Sequence, residues 1–162
     1  MKLAKWYGLL SFVVLVSAAI GAAQEVEVNV ATGKGYGTIG IYAKTFETVI
    51  VNSGTAIKYV PNAVNGDSFV INASGVYAVS YTDGDPASDD IGVSVNLSPT
   101  VSFSTEWGTA HELCEFEVAD TGGSCSATVN LAKGSVLRAH STFGGHPPND
   151  QTVSRFIVVK VQ

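Results

Sequence analysis

The sequence is short of charge, of cysteine and of helical periodicity, and each shortage narrows what it can be. Only 14% of its 162 residues are Asp, Glu, Lys or Arg, and the nine Lys and Arg form no cluster. Binding to a phosphate backbone works by grouped cations releasing counter-ions, so nucleic acid is excluded as a partner. Two cysteines are too few for the usual structural zinc site. There is no Gly-x-Ser-x-Gly elbow and no His-Glu-x-x-His, so the common hydrolase and metalloprotease signatures are missing and the chain reads as a non-enzyme. No Gly-X-Y repeat, linker or low-complexity tract interrupts it. Beyond residue 23 no segment shows a 3.6-residue apolar period, which argues against helices.

What is present begins with an export signal. Lys2 and Lys5 form a basic lead, "LLSFVVLV" an apolar stretch and "SAAIGAA" a small-residue tail. This pattern predicts a secretory signal peptide over residues 1–23, cleaved after Ala23. The uncharged run from Trp6 to Ala23 is 18 residues long, so an uncleaved segment would serve as a membrane anchor. Without Lys2 and Lys5, seven of the nine basic residues remain against 14 acidic ones, a net charge of −7. In an exported chain, Cys114 and Cys125 are expected to pair as a disulfide. Three glutamates around Cys114 in "ELCEFE" disfavour a reactive thiolate.

The rest of the chain reads as short runs rich in Val, Ile, Tyr, Phe and Thr, separated by Gly, Asn and Asp turns. Strands are predicted near 25–31, 38–43, 47–51, 56–60, 68–72, 75–82, 91–97, 100–107, 114–119, 125–132, 136–143 and 154–162. That spacing argues an all-β antiparallel sandwich or jelly roll. Residues 75–82, "GVYAVSYT", raise a question because neither face carries a charge. Tyr77, Val79 and Tyr81 take one side, and Val76, Ala78 and Ser80 the other. A sheet of a two-layer sandwich has one inner face, so the other must meet solvent or a partner. Tyrosine buries a large ring and hydrogen-bonds through its tip, so the Tyr77, Val79, Tyr81 side is expected to face a second subunit.

"SFVINASGVYAVSYT", "GVSVN" (92–96), "CSATVNLAKGSVLRAHS" (125–141) and "VSRFIVVKVQ" (153–162) follow one another in an order that resembles the complement C1q/tumour necrosis factor-like jelly-roll family. The resemblance covers residues 45–162. It implies a ten-stranded C1q/TNF-like domain that forms compact homotrimers and serves as a binding or structural head outside the cell, a use also made of such heads by exported bacterial proteins. By that carry-over Tyr77, Val79, Tyr81 and Phe156 would line the subunit interface. Two departures stand out. Ser135 replaces the acidic residue usual after the Leu-x-x-Gly glycine, and residues 24–44 stand as an N-terminal β-extension where many members carry a collagen-like stalk.

Several motifs suggest other chemistry. "GYGTIG" (35–40) fits a dinucleotide-binding pattern, but no helix follows it, so no cofactor is expected and glycine-permitted bends are the better reading. His111, His140 and His146 could converge in a cupin-like metal enzyme, though no His-x-His pair seeds such a site. The loop "DGDPASDD" supplies Asp83, Asp85, Asp89 and Asp90, oxygen ligands that could hold Ca²⁺, although the loop lacks EF-hand spacing. "NAS" (72–74) and "NLS" (96–98) fit the glycosylation acceptor pattern. A monomeric carbohydrate-binding sandwich is the alternative to a trimeric head, with Trp107 and tyrosines stacking on sugar rings. The extracellular partner is then an unidentified protein or glycan.

Overall fold

The computed structural model describes residues 24–30 as backbone, and 35–83, 90–102, 110–117, 123–142 and 154–162. Every regular element among them is a β-strand: β1 Gln24–Val30, β2 Thr48–Asn52, β3 Ile57–Val60, β4 Ser68–Ile71, β5 Gly75–Asp83, β6 Asp90–Val95, β7 Glu112–Glu117, β8 Gly123–Leu131, β9 Val136–Ser141 and β10 Ser154–Lys160. All their pairings are antiparallel. They form two five-stranded sheets, sheet 1 in the order β2-β1-β10-β5-β8 and sheet 2 in the order β3-β4-β9-β6-β7. This is the predicted jelly roll. Its strand order crosses between sheets repeatedly, so sheet 2 is complete only with β9 and sheet 1 only with β10. β1 lies between β2 and β10, so residues 24–30 are an integral strand of sheet 1, although the sequence reading set them apart from the domain beginning at 45.

The period-two alternation places the core. Along β5 the residues alternate between buried and half-buried, with Tyr77, Val79, Tyr81 and Asp83 inside. In β10 the buried set is Ser154, Phe156 and Val158. Sheet 2 contributes Phe69, Ile71, Ile91, Val93, Leu137 and Ala139. Phe156 meets Phe69 of the opposite sheet edge-on at 4.8 Å between ring centroids, and Tyr81 at 5.7 Å. Phe46 and Tyr59 extend this aromatic layer at its margin.

Two predicted strands differ. Residues 38–43 run as a turn, with only isolated bridges at Tyr36–Lys44 and Ala43–His140. Their amides are taken by another loop: Thr38 donates to the Ala63 carbonyl, and Ile39 and Gly40 both donate to that of Val64. The exchange needs backbones in contact, and a β-carbon at Gly37 would overlap the Gly66 nitrogen. Gly66 itself has φ 74° and lies against the Ala43 carbonyl. Residues 100–102 are likewise irregular, and 103–109 lie outside the described residues.

The two sheets are stapled at one side by the Cys114–Cys125 disulfide, which joins β7, the last strand of sheet 2, to β8, the last of sheet 1. The staple closes a local loop, and cross-links of this size stabilise by about 3 kcal/mol, chiefly by restricting the unfolded chain. A Cys114→Ala/Cys125→Ala double variant is therefore expected to lose about 3 kcal/mol in urea unfolding while keeping the same β-sheet circular dichroism spectrum.

Candidate functional site

Three places on this framework collect polar or unpaired chemistry: a buried ion pair, a polar strip on sheet 2 and the outward face of sheet 1.

The ion pair lies inside. β5 ends on Asp83, whose odd number continues the inward series of Tyr77, Val79 and Tyr81. Its carboxylate is 1% exposed, pairs with Lys44 Nζ, and accepts hydrogen bonds from Tyr81 Oη and Ser154 Oγ, both at 2.5 Å. Burial pushes the Asp83 carboxyl up, but the Lys44 charge and the hydrogen bonds from Lys44, Ser154 and Tyr81 outweigh it and hold the group below the ordinary carboxylate range. Burial and the neighbouring Asp83 carboxylate push the Tyr81 hydroxyl up, keeping it a donor. Lys44 also sits 5.7 Å from the Tyr36 ring centroid. This corrects the acidic-loop expectation: Asp83 is a core residue with a cationic partner and is not available to a Ca²⁺ ion. Asp85 and Asp89 lie outside the described residues. Asp90 starts β6, where its amide donates to Thr142 Oγ1. Among the described residues no group of three or more His, Cys, Asp or Glu is arranged to hold a metal.

The histidines do not assemble either. His140 is fully buried, its Nε2 donating to the Val101 carbonyl at 2.6 Å and its Nδ1 3.3 Å from Ser94 Oγ. Both ring nitrogens are thus spent on protein partners. Burial lowers its pKa to about 4, and the nearby Arg138 charge acts in the same direction. His111 is tied through Nδ1 to the Val95 carbonyl at 2.8 Å, and His146 lies outside the described residues. Arg138 reaches the Leu97 carbonyl at 2.7 Å. Glu115 Oε1 and Arg138 Nε have no hydrogen-bond partner among the described residues.

The outward face of sheet 1 overturns the expected interface. Tyr77, Val79, Tyr81 and Phe156 are each 0–1% exposed and packed between the two sheets of one chain. The rings are too large for any place but the inter-sheet layer, and Tyr77 satisfies its hydroxyl on the Ala73 carbonyl. None of these four can meet a second subunit. The opposite set faces out: Ile157, Ser80 and Ser126 form one cross-strand row, and Val159, Ala78 and Thr128 the next. Val76 and Asn130 continue it, with Val161 bonded to Val76. A shallow groove of about 420 Å³ runs along these residues. Across β10, β5 and β8 no charge stands in these rows, and β1 brings Glu27 and Glu25 into register with Ile157 and Val159. Arg155, Thr82 and Ser124 bound them at one end.

Ten antiparallel strands in two sheets of this order, with the core between them, decide the fold. The chain has the C1q/TNF-like jelly-roll fold. No family model matches the sequence, and no curated protein does. Among solved structures it is similar to the globular domain of zebrafish complement 1qA protein, at 12% identity and a TM-score of 0.58, covering 86% of this chain and 97% of that one. Murine APRIL at pH 5.0 follows at 13% identity and TM-score 0.55, covering 86% and 99%. The PRD1 vertex protein P5 is similar at 11% identity and TM-score 0.53, covering 86% and 97%. At such identities the likeness is one of fold.

The buried pair and the buried histidine each generate a test. Lys44→Met strands the Asp83 charge in the core and is expected to cost about 3–5 kcal/mol in chemical denaturation, the range for breaking a buried pair. His140 binds its proton less readily folded than unfolded, so stability is full above the unfolded value near 6.5 and falls as pH drops towards 4. Between pH 7 and 5.5, above most carboxylate titration, the loss is expected to be about 1 kcal/mol. A His140→Gln variant should flatten that slope.

Proposed function

We propose that this protein is a non-catalytic exported head that works as a homotrimer, with the small-residue face of sheet 1 as its subunit interface and an extracellular protein or glycan as its ligand. One observation carries the reading: across β10, β5 and β8 the rows through Val76, Ala78 and Ser80 hold only small or uncharged side chains although they lie on the outside of the sandwich. The solvated side of a central strand ordinarily carries Lys or Glu on such positions. Small side chains let a neighbouring backbone approach closely, and Ile157 and Val159 supply apolar area to bury. This uncharged part of the face, with Glu25 and Glu27 in register at its β1 margin, offers nothing to a strongly charged partner, which favours further copies of the same surface. The C1q/TNF-like resemblance supplies the three-fold arrangement. Export rests on the signal pattern of residues 1–23, which lie outside the described residues.

The test is solution mass by light scattering. The wild-type protein is expected at three times the monomer mass. Ala78→Asp and Ile157→Asp should each yield a folded monomer, because an aspartate there is accommodated only in solvent. Tyr81→Asp should unfold the chain instead, since it places a second carboxylate beside Asp83 in the core. A wild-type monomer would overturn the assembly reading, as would a trimer indifferent to both outward substitutions.

A further inference from the structure

The loop that replaced a predicted strand builds a cleft of about 340 Å³ against the turn at 61–67. Tyr36, Thr38 and Thr45 line one side, Pro61 and Asn62 the other, and Asp67 the floor. The volume falls in the range of small-ligand clefts, roughly 300–1,000 Å³. We infer that this cleft binds a neutral sugar residue, with Asp67 and Asn62 as its polar anchors. The inference extends the ligand side of the proposed function and does not depend on the trimer.

The argument is one of matching donors and acceptors. Asp67 is 3% exposed, and its carboxylate accepts the Phe46 amide and the Tyr59 hydroxyl on Oδ2 and the Asn62 amide on Oδ1, at 2.5–2.6 Å. A carboxylate offers about four acceptor positions, so one is left on Oδ1. Burial and the Asp67 carboxylate push the Tyr59 hydroxyl well above its ordinary value, so it stays a donor to Asp67. Asn62 spends Oδ1 on the Val64 and Asn65 amides, which leaves its two Nδ2 hydrogens without a partner among the described residues. Two residues lining the cleft thus supply a spare acceptor position and a pair of donors, with the Thr38 and Thr45 hydroxyls able to play either part.

An anionic ligand is opposed by Asp67. A bare ammonium could satisfy Asp67, but it offers no acceptor to the Asn62 amide. A sugar hydroxyl donates to the one and accepts from the other, and adjacent hydroxyls of a pyranose repeat that capacity at short spacing. Its C–H face has the Tyr36 ring and Pro61 to pack on. The glycines at 37, 40 and 66 fix the two loops in backbone contact, so the anchors are held before any ligand arrives.

The experiment is ¹⁵N-correlation NMR on the full-chain protein, titrated separately with the methyl glycosides of glucose, galactose, mannose, fucose and N-acetylglucosamine, and with ammonium chloride. Saturable shifts of the Thr38, Thr45 and Asn62 amides with at least one glycoside at millimolar concentration are expected. Asn62→Asp keeps the oxygen that holds the turn and removes the two donors, and it should weaken that binding about tenfold. Thr38→Val, at an exposed position, should weaken it with no change in fold. Three outcomes overturn the assignment: no saturable shift with any glycoside, saturation by ammonium alone, or glycoside binding that neither variant changes. The light-scattering result reads the assembly independently, so failure of one proposal leaves the other standing.

Discussion

The edge-on contact between Phe156 of β10 and Phe69 of β4 is the interaction on which the arrangement depends. There the two sheets meet ring to ring at the shortest centroid distance, Tyr81 and Phe46 close around it, and Tyr81 reaches across to Phe116 of β7. Aromatic pairs add roughly 0.5–1.5 kcal/mol each beyond the area they bury. More consequential is what the contact dictates by periodicity. Once Phe156 and Tyr81 point inward, strand alternation puts Ile157, Val159, Ala78 and Ser80 outward with no freedom left. The character of the external face is thus a by-product of where the large rings had to go.

The same alternation explains how a charge came to lie in the core. Asp83 falls on the inward series of β5, and the chain meets it with Lys44 from the irregular loop and with hydroxyls from Tyr81 and Ser154. A buried ion pair seldom stabilises more than well-packed apolar side chains of equal volume would. Its effect here is on register: sliding β5 against β10 would separate Asp83 from Ser154, and displacing residues 35–46 would leave Asp83 without Lys44. The loop carrying Lys44 also carries Tyr36 and Thr45, so the pair positions one wall of the loop-end cleft.

Most of the fold was legible in the sequence because strands announce themselves by a two-residue period, and all ten observed strands overlap predicted ones. The disulfide was legible from cysteine number and export context. The C1q/TNF-like fold was legible from the order of four blocks. What misled was the absence of charge on both sides of "GVYAVSYT", which left residue size as the only guide to which side was inner. Tyr77 and Tyr81 suggested an interface by their amphipathic chemistry, whereas their volume required the core. The signal that could have settled it was Asp83, which shares their parity and, as a carboxylate, called for a buried partner or a solvent face. "IGIYA" read as a strand from its β-branched residues, but Gly37 and Gly40 let that segment lie backbone to backbone on residues 63–66. Contacts between segments some 25 residues apart leave no periodic trace, so the cleft and its Asp67 floor could not have been found from the sequence.

Sheet face and cleft illustrate two ways in which a β-sandwich makes a surface useful. On the face, regular hydrogen bonding consumes every backbone group of the central strands, and only side-chain size and polarity are left to vary. Such a surface suits a broad, low-specificity contact whose geometry is set by symmetry. At the loop end the backbone is irregular, and side chains are recruited to satisfy it: Asp67 for three donors, Asn62 for two amides. Each of those polar groups retains capacity beyond its structural task, one acceptor position on Asp67 and two donors on Asn62, and both residues line the cleft. The groove on the sheet and the cleft at the loops share no lining residue. Association through the one would therefore leave the chemistry of the other untouched.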